Sequence, residues 1–406
     1  MTHDRIGLVL GCVILCGSAA LADPSDPNDP NAYATQVVSY TPGTGIGGDW
    51  ISGKPFNDPN RALGRPTVDT TGDAWYIPLN MPTPVVHVYP AFRSYELVTI
   101  GNGGELIVKF DHPVENDPRN PYGVDFIVFG NAFQVIDGSG GWANGDPNSV
   151  TCGMGLFKEP GIVSVAQDPN GPWYTFADGP WADDFGPTLG RVPVDDPNNA
   201  DPNLGTWNLY WGGPTNPTRP IDPNDPNVSE SGFIGKTVRQ MCDAYNGSAG
   251  GTGFDIGVFD LEWIQYIRVQ DKPGSSATTE IDAFSDVAPG VVLDLAIVNQ
   301  SWGEVTLSPD PVADPPLTYF PNDVVTLTAT PIEGKAFNYW VIYDPNHPGD
   351  ANFAIEDGNT VTTIVMMCDR QVEAVFKCGS GLGLVFPLLL SGVLLAFVAG
   401  RRRLLR

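Results

Sequence analysis

Six side chains in the middle of the chain are of types that could do chemistry: Asp125, Asn131, Asp255, Asp260, Glu280 and Asp282. Paired carboxylates are what glycoside cleavage needs, one as acid and one as base or nucleophile. The same groups also serve as turn caps and solvated surface. A third use is a cation: hard oxygen donors on loops suit Ca²⁺, which accepts flexible coordination. Asp255 and Asp282 are the preferred ligands, because both lie beside loops that flank the last core strand. Glu280 and Asp125 complete the expected set.

Spacing argues against other chemistry. His3, His87, His112 and His347 stand apart, and no H-E-x-x-H run exists for a zinc hydrolase. No G-x-S-x-G supplies a nucleophile elbow. Residues 43–48 match G-x-G-x-x-G in form only, since no helix follows. Residues 232–237 leave too few positions between their glycines for a phosphate loop. The expectation is a protein that is not an enzyme. A formal charge of -26 and a pI near 4.2 argue against nucleic acid and anionic lipid as partners.

The framework that positions these donors reads as β. Helical periodicity is nearly absent, and short β-rich runs recur at 35–40, 105–110, 124–129, 162–166, 173–176, 264–270 and 281–287. Gly, Pro, Asn or Asp bounds each run, the pattern of an antiparallel sandwich. Leu106, Val108 and Phe110 alternate and should face its core. Asp-Pro-Asn recurs at irregular spacing, including residues 26–28, 58–60, 168–170 and 222–224, and marks turns rather than a repeat or a calcium array. Residues 178–230 read as a loop-rich insertion whose Trp181, Trp207, Tyr210 and Trp211 pack over the sandwich edge. Composition breaks at Ala288-Pro289-Gly290, and three paired-strand patterns follow at 291–307, 324–343 and 360–376.

The two ends specify a destination. Arg5, an apolar stretch and Ala20-Leu21-Ala22 form a secretory signal, with cleavage between Ala22 and Asp23. Residues 23–31 are an Asp-Pro-Asn linker. Residues 382–400 carry no charge and precede Arg401-Arg402-Arg403, as a transmembrane helix with a cytoplasmic basic end does. The fold class is therefore all-β: an antiparallel β-sandwich over 32–288, a small β-module over 289–377, and a C-terminal transmembrane helix. The protein is expected outside the cytoplasm, at the cell surface or outer envelope. Cys12 and Cys16 leave with the signal, and an oxidising envelope permits a Cys152–Cys242 disulfide. Two buried thiols are the alternative.

Residues 35–287 resemble a family of bacterial cell-surface proteins with a discoidin-like, galactose-binding-type jelly roll. The stretches that carry the likeness include Val37-Val38-Ser39-Tyr40-Thr41-Pro42-Gly43, Gly103-Gly104-Glu105-Leu106-Ile107-Val108-Lys109-Phe110-Asp111 and Val124-Asp125-Phe126-Ile127-Val128-Phe129-Gly130-Asn131. Glu159-Pro160-Gly161-Ile162-Val163-Ser164-Val165 and Glu280-Ile281-Asp282-Ala283-Phe284 follow in the same order. Gly130 stands where the family often has Glu, and Phe284 departs from the usual short aliphatic residue. Such jelly rolls often hold an ion on loop oxygens near the last strand. Residues 291–376 resemble a divergent internalin-type B-repeat, through Val324-Val325-Thr326-Leu327-Thr328-Ala329-Thr330-Pro331, Gly334, Phe337 and Trp340. The tail, 378–406, resembles the cysteine-containing variants of PEP-CTERM sorting signals, cut by an envelope processing enzyme near Cys378 and Gly379. A plain membrane anchor is the other reading of that tail. These resemblances imply a display or adhesion protein that binds glycan or another envelope ligand with calcium support. An extracellular carbohydrate-active enzyme and a purely structural matrix component are the alternatives.

Overall fold

The computed structural model describes residues 23–49, 52–67, 75–76, 81–82, 91–137, 146–196, 198, 200, 210–274, 278–343 and 353–379. The expected signal, with Ala22, and the hydrophobic run 382–400 lie outside them. Among the described residues no helix is long and apolar enough to cross a membrane. The chain is predominantly β and divides into two compact units, one ending at Gly290 and one beginning at Val291.

Two antiparallel sheets face each other in the first unit. One has the strand order Gln36–Thr41, Glu105–Glu115, Trp263–Asp271, Gly161–Ala166 and Tyr174–Thr175. The other has the order Thr252–Phe254, Phe126–Gly130, Glu280–Asp286 and Val98–Thr99. Alternation explains the first sheet: Leu106, Val108 and Phe110 are buried, while Glu105, Ile107 and Lys109 stay half-exposed on the other face. The shared core adds Val163, Val165, Ile267 and Val269 from that sheet, and Phe126, Val128, Phe254 and Phe284 from its partner.

The second sheet does not alternate, because both of its faces are covered. Glu280–Asp286 is buried at every position. Its outer side meets the insertion, where Ser285 Oγ donates to Pro217 O (2.8 Å) and Ala288 N to Thr218 O (3.0 Å). Part of the expected loop region, 178–230, joins the segments before and after it in a covering layer with a core of its own, built on Val150, Cys152, Trp211, Phe233, Met241 and Tyr245. That layer also contains helical turns that periodicity did not suggest. Val238–Ala244 starts at a reciprocal cap between Thr237 and Gln240.

Asp-Pro-Asn works as the turn chemistry requires. Asp26, Asp58, Asp146, Asp168, Asp196, Asp222 and Asp225 each accept, through Oδ1, the backbone N–H of the asparagine two residues on. Those carboxylates are committed to the backbone.

In the second unit, Val291–Val298 pairs in parallel with Arg370–Cys378 and extends a sheet through Lys335–Tyr343. An antiparallel sheet of Gly303–Ser308, Val324–Pro331 and Val361–Val365 completes it. Tyr319, Phe337, Trp340 and Phe376 fill the core.

Candidate functional site

The four expected calcium ligands do not form one set. Phe126–Gly130 and Glu280–Asp286 run antiparallel, so Ile281 pairs with Gly130 while Asp286 pairs with Phe126. Asp125 and Asp255 therefore stand at one end of the sandwich, and Glu280 and Asp282 at the other. The pairing separates them by about 17 Å, five residues of strand rise. All four carboxylates also accept hydrogen bonds from the protein. Asp125 accepts from Asn120 Nδ2 (2.9 Å) and Ile256 N (2.8 Å), and Asp255 accepts from Gly257 N (2.7 Å). Both oxygens of Asp282 accept from Thr67 N (3.1 and 2.9 Å). Asp260 closes a turn at φ 56°. Among the described residues no three acidic, histidine or cysteine side chains are grouped as a metal's ligand set.

Glu280 belongs instead to an acidic neighbourhood that the sequence did not reveal. Its Oε1 accepts from Thr99 Oγ1 (2.9 Å) and its Oε2 from Asn131 Nδ2 (2.6 Å). Asp183 and Glu159 approach from the insertion side, with Glu159 N donating to Asp183 O (3.1 Å). Burial pushes Glu280 up to about 7. Burial, with the charges of Glu280 and Asp271, pushes Glu159 up to about 8. Asp183 is held well above its usual range, by burial first and by Glu159 next. A carboxyl at Asp183 also fills the space over Gly130: a Cβ there would lie 2.3 Å from Asp183 Oδ1. Gly130, having no side chain, thus makes room for an acid supplied from elsewhere in the chain.

The second feature lies on the outer face of the five-stranded sheet. Tyr266, Arg268 and Gln270 alternate outward from Trp263–Asp271, and Lys272 follows one residue beyond it. Register sets their neighbours: Tyr266 lies opposite Lys109, Arg268 opposite Ser164, and Gln270 opposite Glu105. Lys109 Nζ stands 5.7 Å from the Tyr266 ring centre, Arg268 donates to Ser164 Oγ (3.2 Å), and Gln270 donates to Glu105 Oε2 (3.0 Å). Two indoles cap the row. Trp173 stacks on the Arg268 guanidinium at 4.6 Å, and Lys272 Nζ lies 3.1 Å from the centre of Trp181. Each tryptophan ends a Gly-Pro-Trp triplet, 171–173 and 179–181, whose glycine has φ 90°. That left-handed backbone favours glycine and turns each indole back onto the sheet. The repeated triplet was the sequence signal available for this row; Trp181 was expected only to pack over an edge.

A cleft of about 150 Å³ beside Arg65, Arg191 and Thr215 is held by its own groups. Arg65 donates to Pro27 O and Thr215 O, and Arg191 to Gly212 O, so these guanidiniums tie loops together.

Cys152 and Cys242 are thiols in the structure and are not bridged. They share one buried cluster, where Cys152 Sγ approaches Met241 Sδ at 4.0 Å and burial pushes the Cys242 thiol up. Cys378 is exposed at the end of the last strand, in register with Lys335, and Gly379 N donates to Gly334 O (3.1 Å). Asp23 is exposed as well. A thiol reagent applied to the native protein should therefore modify Cys378 readily and leave Cys152 and Cys242 untouched until denaturant is added. Rapid native labelling of Cys242, read by peptide mass, would contradict this burial.

Compared with models of known protein families the chain matches none, and it matches no curated protein.

Proposed function

We propose that this is an extracytoplasmic display or adhesion protein whose first unit is a discoidin-like jelly roll that binds glycan on its outer sheet face. The observation that supports it is the row of Trp173, Arg268, Gln270, Glu105, Lys272 and Trp181. An indole offers a flat apolar face against which the C–H face of a sugar ring packs. Arg268, Gln270, Glu105 and the exposed Thr175 hydroxyl offer donors and acceptors for its hydroxyls. The indoles sit over strand positions four residues apart, about 13 Å, which suits an extended chain more than one sugar. Stacking on Arg268 and Lys272 holds both indoles against the sheet, so little order is lost on binding. The second unit is then a B-repeat-like spacer, and the C-terminal segment a sorting tail or anchor that keeps the sandwich outside the cell.

Affinity electrophoresis of the intact protein through a panel of polysaccharides tests this reading. At least one should retard it, with Trp173→Ala or Trp181→Ala weakening retention about tenfold or more, as loss of a central aromatic anchor does. Unaltered melting in both variants would show that the fold is intact. Equal retention of the double variant and the parent sinks the reading, and release of reducing sugar would favour the carbohydrate-active enzyme.

A further inference from the structure

We propose that Asp183, Glu280 and Asn131 bind one calcium ion, which ties the loop carrying Trp181 to the last strand of the sandwich. The proposal stands apart from the glycan reading and moves the expected ion away from Asp125 and Asp255. Its starting point is an unmet acceptor. Asp183 is 2% exposed; its Oδ1 accepts from Ala132 N (2.6 Å), whereas among the described residues its Oδ2 has no hydrogen-bond partner. Asn131 repeats the pattern. Its Nδ2 donates to Glu280 Oε2, and its buried Oδ1 is unpartnered. Buried polar atoms are almost always paired, so two orphan oxygens beside a buried carboxylate need an explanation.

A protein cation does not supply it. The nearest lysine in sequence, Lys158, bonds Asp184 and Glu230 (both 3.1 Å). Burial and neighbouring acids are what raise Asp183 and Glu159, and burial is what raises Glu280. Like charges buried together without a counter-ion are strongly unfavourable. A divalent cation balances the two carboxylates of Asp183 and Glu280, and the Asn131 amide oxygen gives a third hard donor. Both acids converge on the short stretch Gly130–Ala132, so this set comes from two carboxylates and an amide. An all-oxygen set built partly on loops favours Ca²⁺ over Mg²⁺, which demands tighter octahedral geometry.

Calorimetry of the intact protein in chelator and in millimolar CaCl₂ tests the site. Calcium should raise the first unit's melting by several degrees and magnesium much less, because a ligand of the folded state stabilises by mass action. Asp183→Asn should abolish the calcium shift yet melt at or above the parent in chelator, since it removes an acid whose ionised form is unfavourable there. Asn131→Asp should do the reverse, melting lower in chelator and gaining more from calcium. It also provides a readout if Asp183→Asn does not fold. Terbium luminescence excited through tryptophan should be strong in the parent and lost in Asp183→Asn. Asp168→Asn, at an exposed turn, controls for loose binding to an acidic surface. No calcium shift in the parent, or one that persists in Asp183→Asn, overturns the proposal.

Discussion

In chelator, the first unit is expected to lose stability steadily from about pH 5 to about pH 8, with Glu280 alone contributing on the order of 3 kcal/mol. The sign follows from the two end states. Unfolded, Glu280 releases its proton near the ordinary glutamate value; folded, burial holds the proton until about pH 7, although Thr99 and Asn131 partly offset that. Below the unfolded value the stabilising contribution is complete. Between the two values the unfolded chain binds fewer protons, so stability falls as pH rises, and it levels off once the folded group has titrated. Glu159 extends the decline to about pH 8, and Asp125, buried at the other end of the sandwich and pushed up to about 7, adds to it. In acid the trend reverses through Asp49. Burial would raise that carboxyl, but hydrogen bonds from Ser52, Ser94 and Arg93 outweigh it and hold it far below the usual range. Its contribution is present above the unfolded value of 3.8 and lost as pH drops further. Urea titrations across this range, with chelator throughout, measure the profile. Stability that is flat or rising between about pH 5 and about pH 8 would refute the assignment of these acids as buried and unneutralised.

The same region shows what a reading of residues one after another can and cannot reach. Leu106, Val108 and Phe110 announce their inward face by alternation alone, and Asp-Pro-Asn announces its turns by local chemistry. Both are properties of neighbours in the chain. The acidic neighbourhood is not. Glu105–Glu115 pairs with Trp263–Asp271, and that strand with Gly161–Ala166, which is how position 159 comes near position 280. Asp183 then enters from an insertion that sequence pattern describes only as loop-rich. Loop-adjacent position groups Asp255 with Asp282, and Asp125 and Glu280 with them, as one ligand set; the antiparallel register places the pairs at opposite ends. The outer-face row lies between these extremes. The parity of Tyr266, Arg268 and Gln270 is local, but their partners Lys109, Ser164 and Glu105 come from two other strands. In the second unit the parallel ladder between Val291–Val298 and Arg370–Cys378 is equally nonlocal, since no hairpin can make it.

Trp340→Ala is expected to be the most damaging single substitution in the second unit. The indole is 0% exposed, packs against Phe337 with ring centres 4.9 Å apart, and donates from Nε1 to Asn359 O (2.9 Å). Truncation removes the largest buried side chain of this core and leaves a cavity and an unpaired carbonyl. The loss is about 3–5 kcal/mol for emptying such a site. For a unit of this size it lowers the melting temperature by roughly 15 °C or more. Trp340→Phe keeps a ring against Phe337 and should lose less. Because the units divide at Gly290, the transition of the first unit should stay where it is in the intact protein. Calorimetry separates the outcomes. Two transitions, with only one displaced, fit a core confined to residues after Gly290. A single transition, or equal displacement of both, would mean that the two units unfold as one.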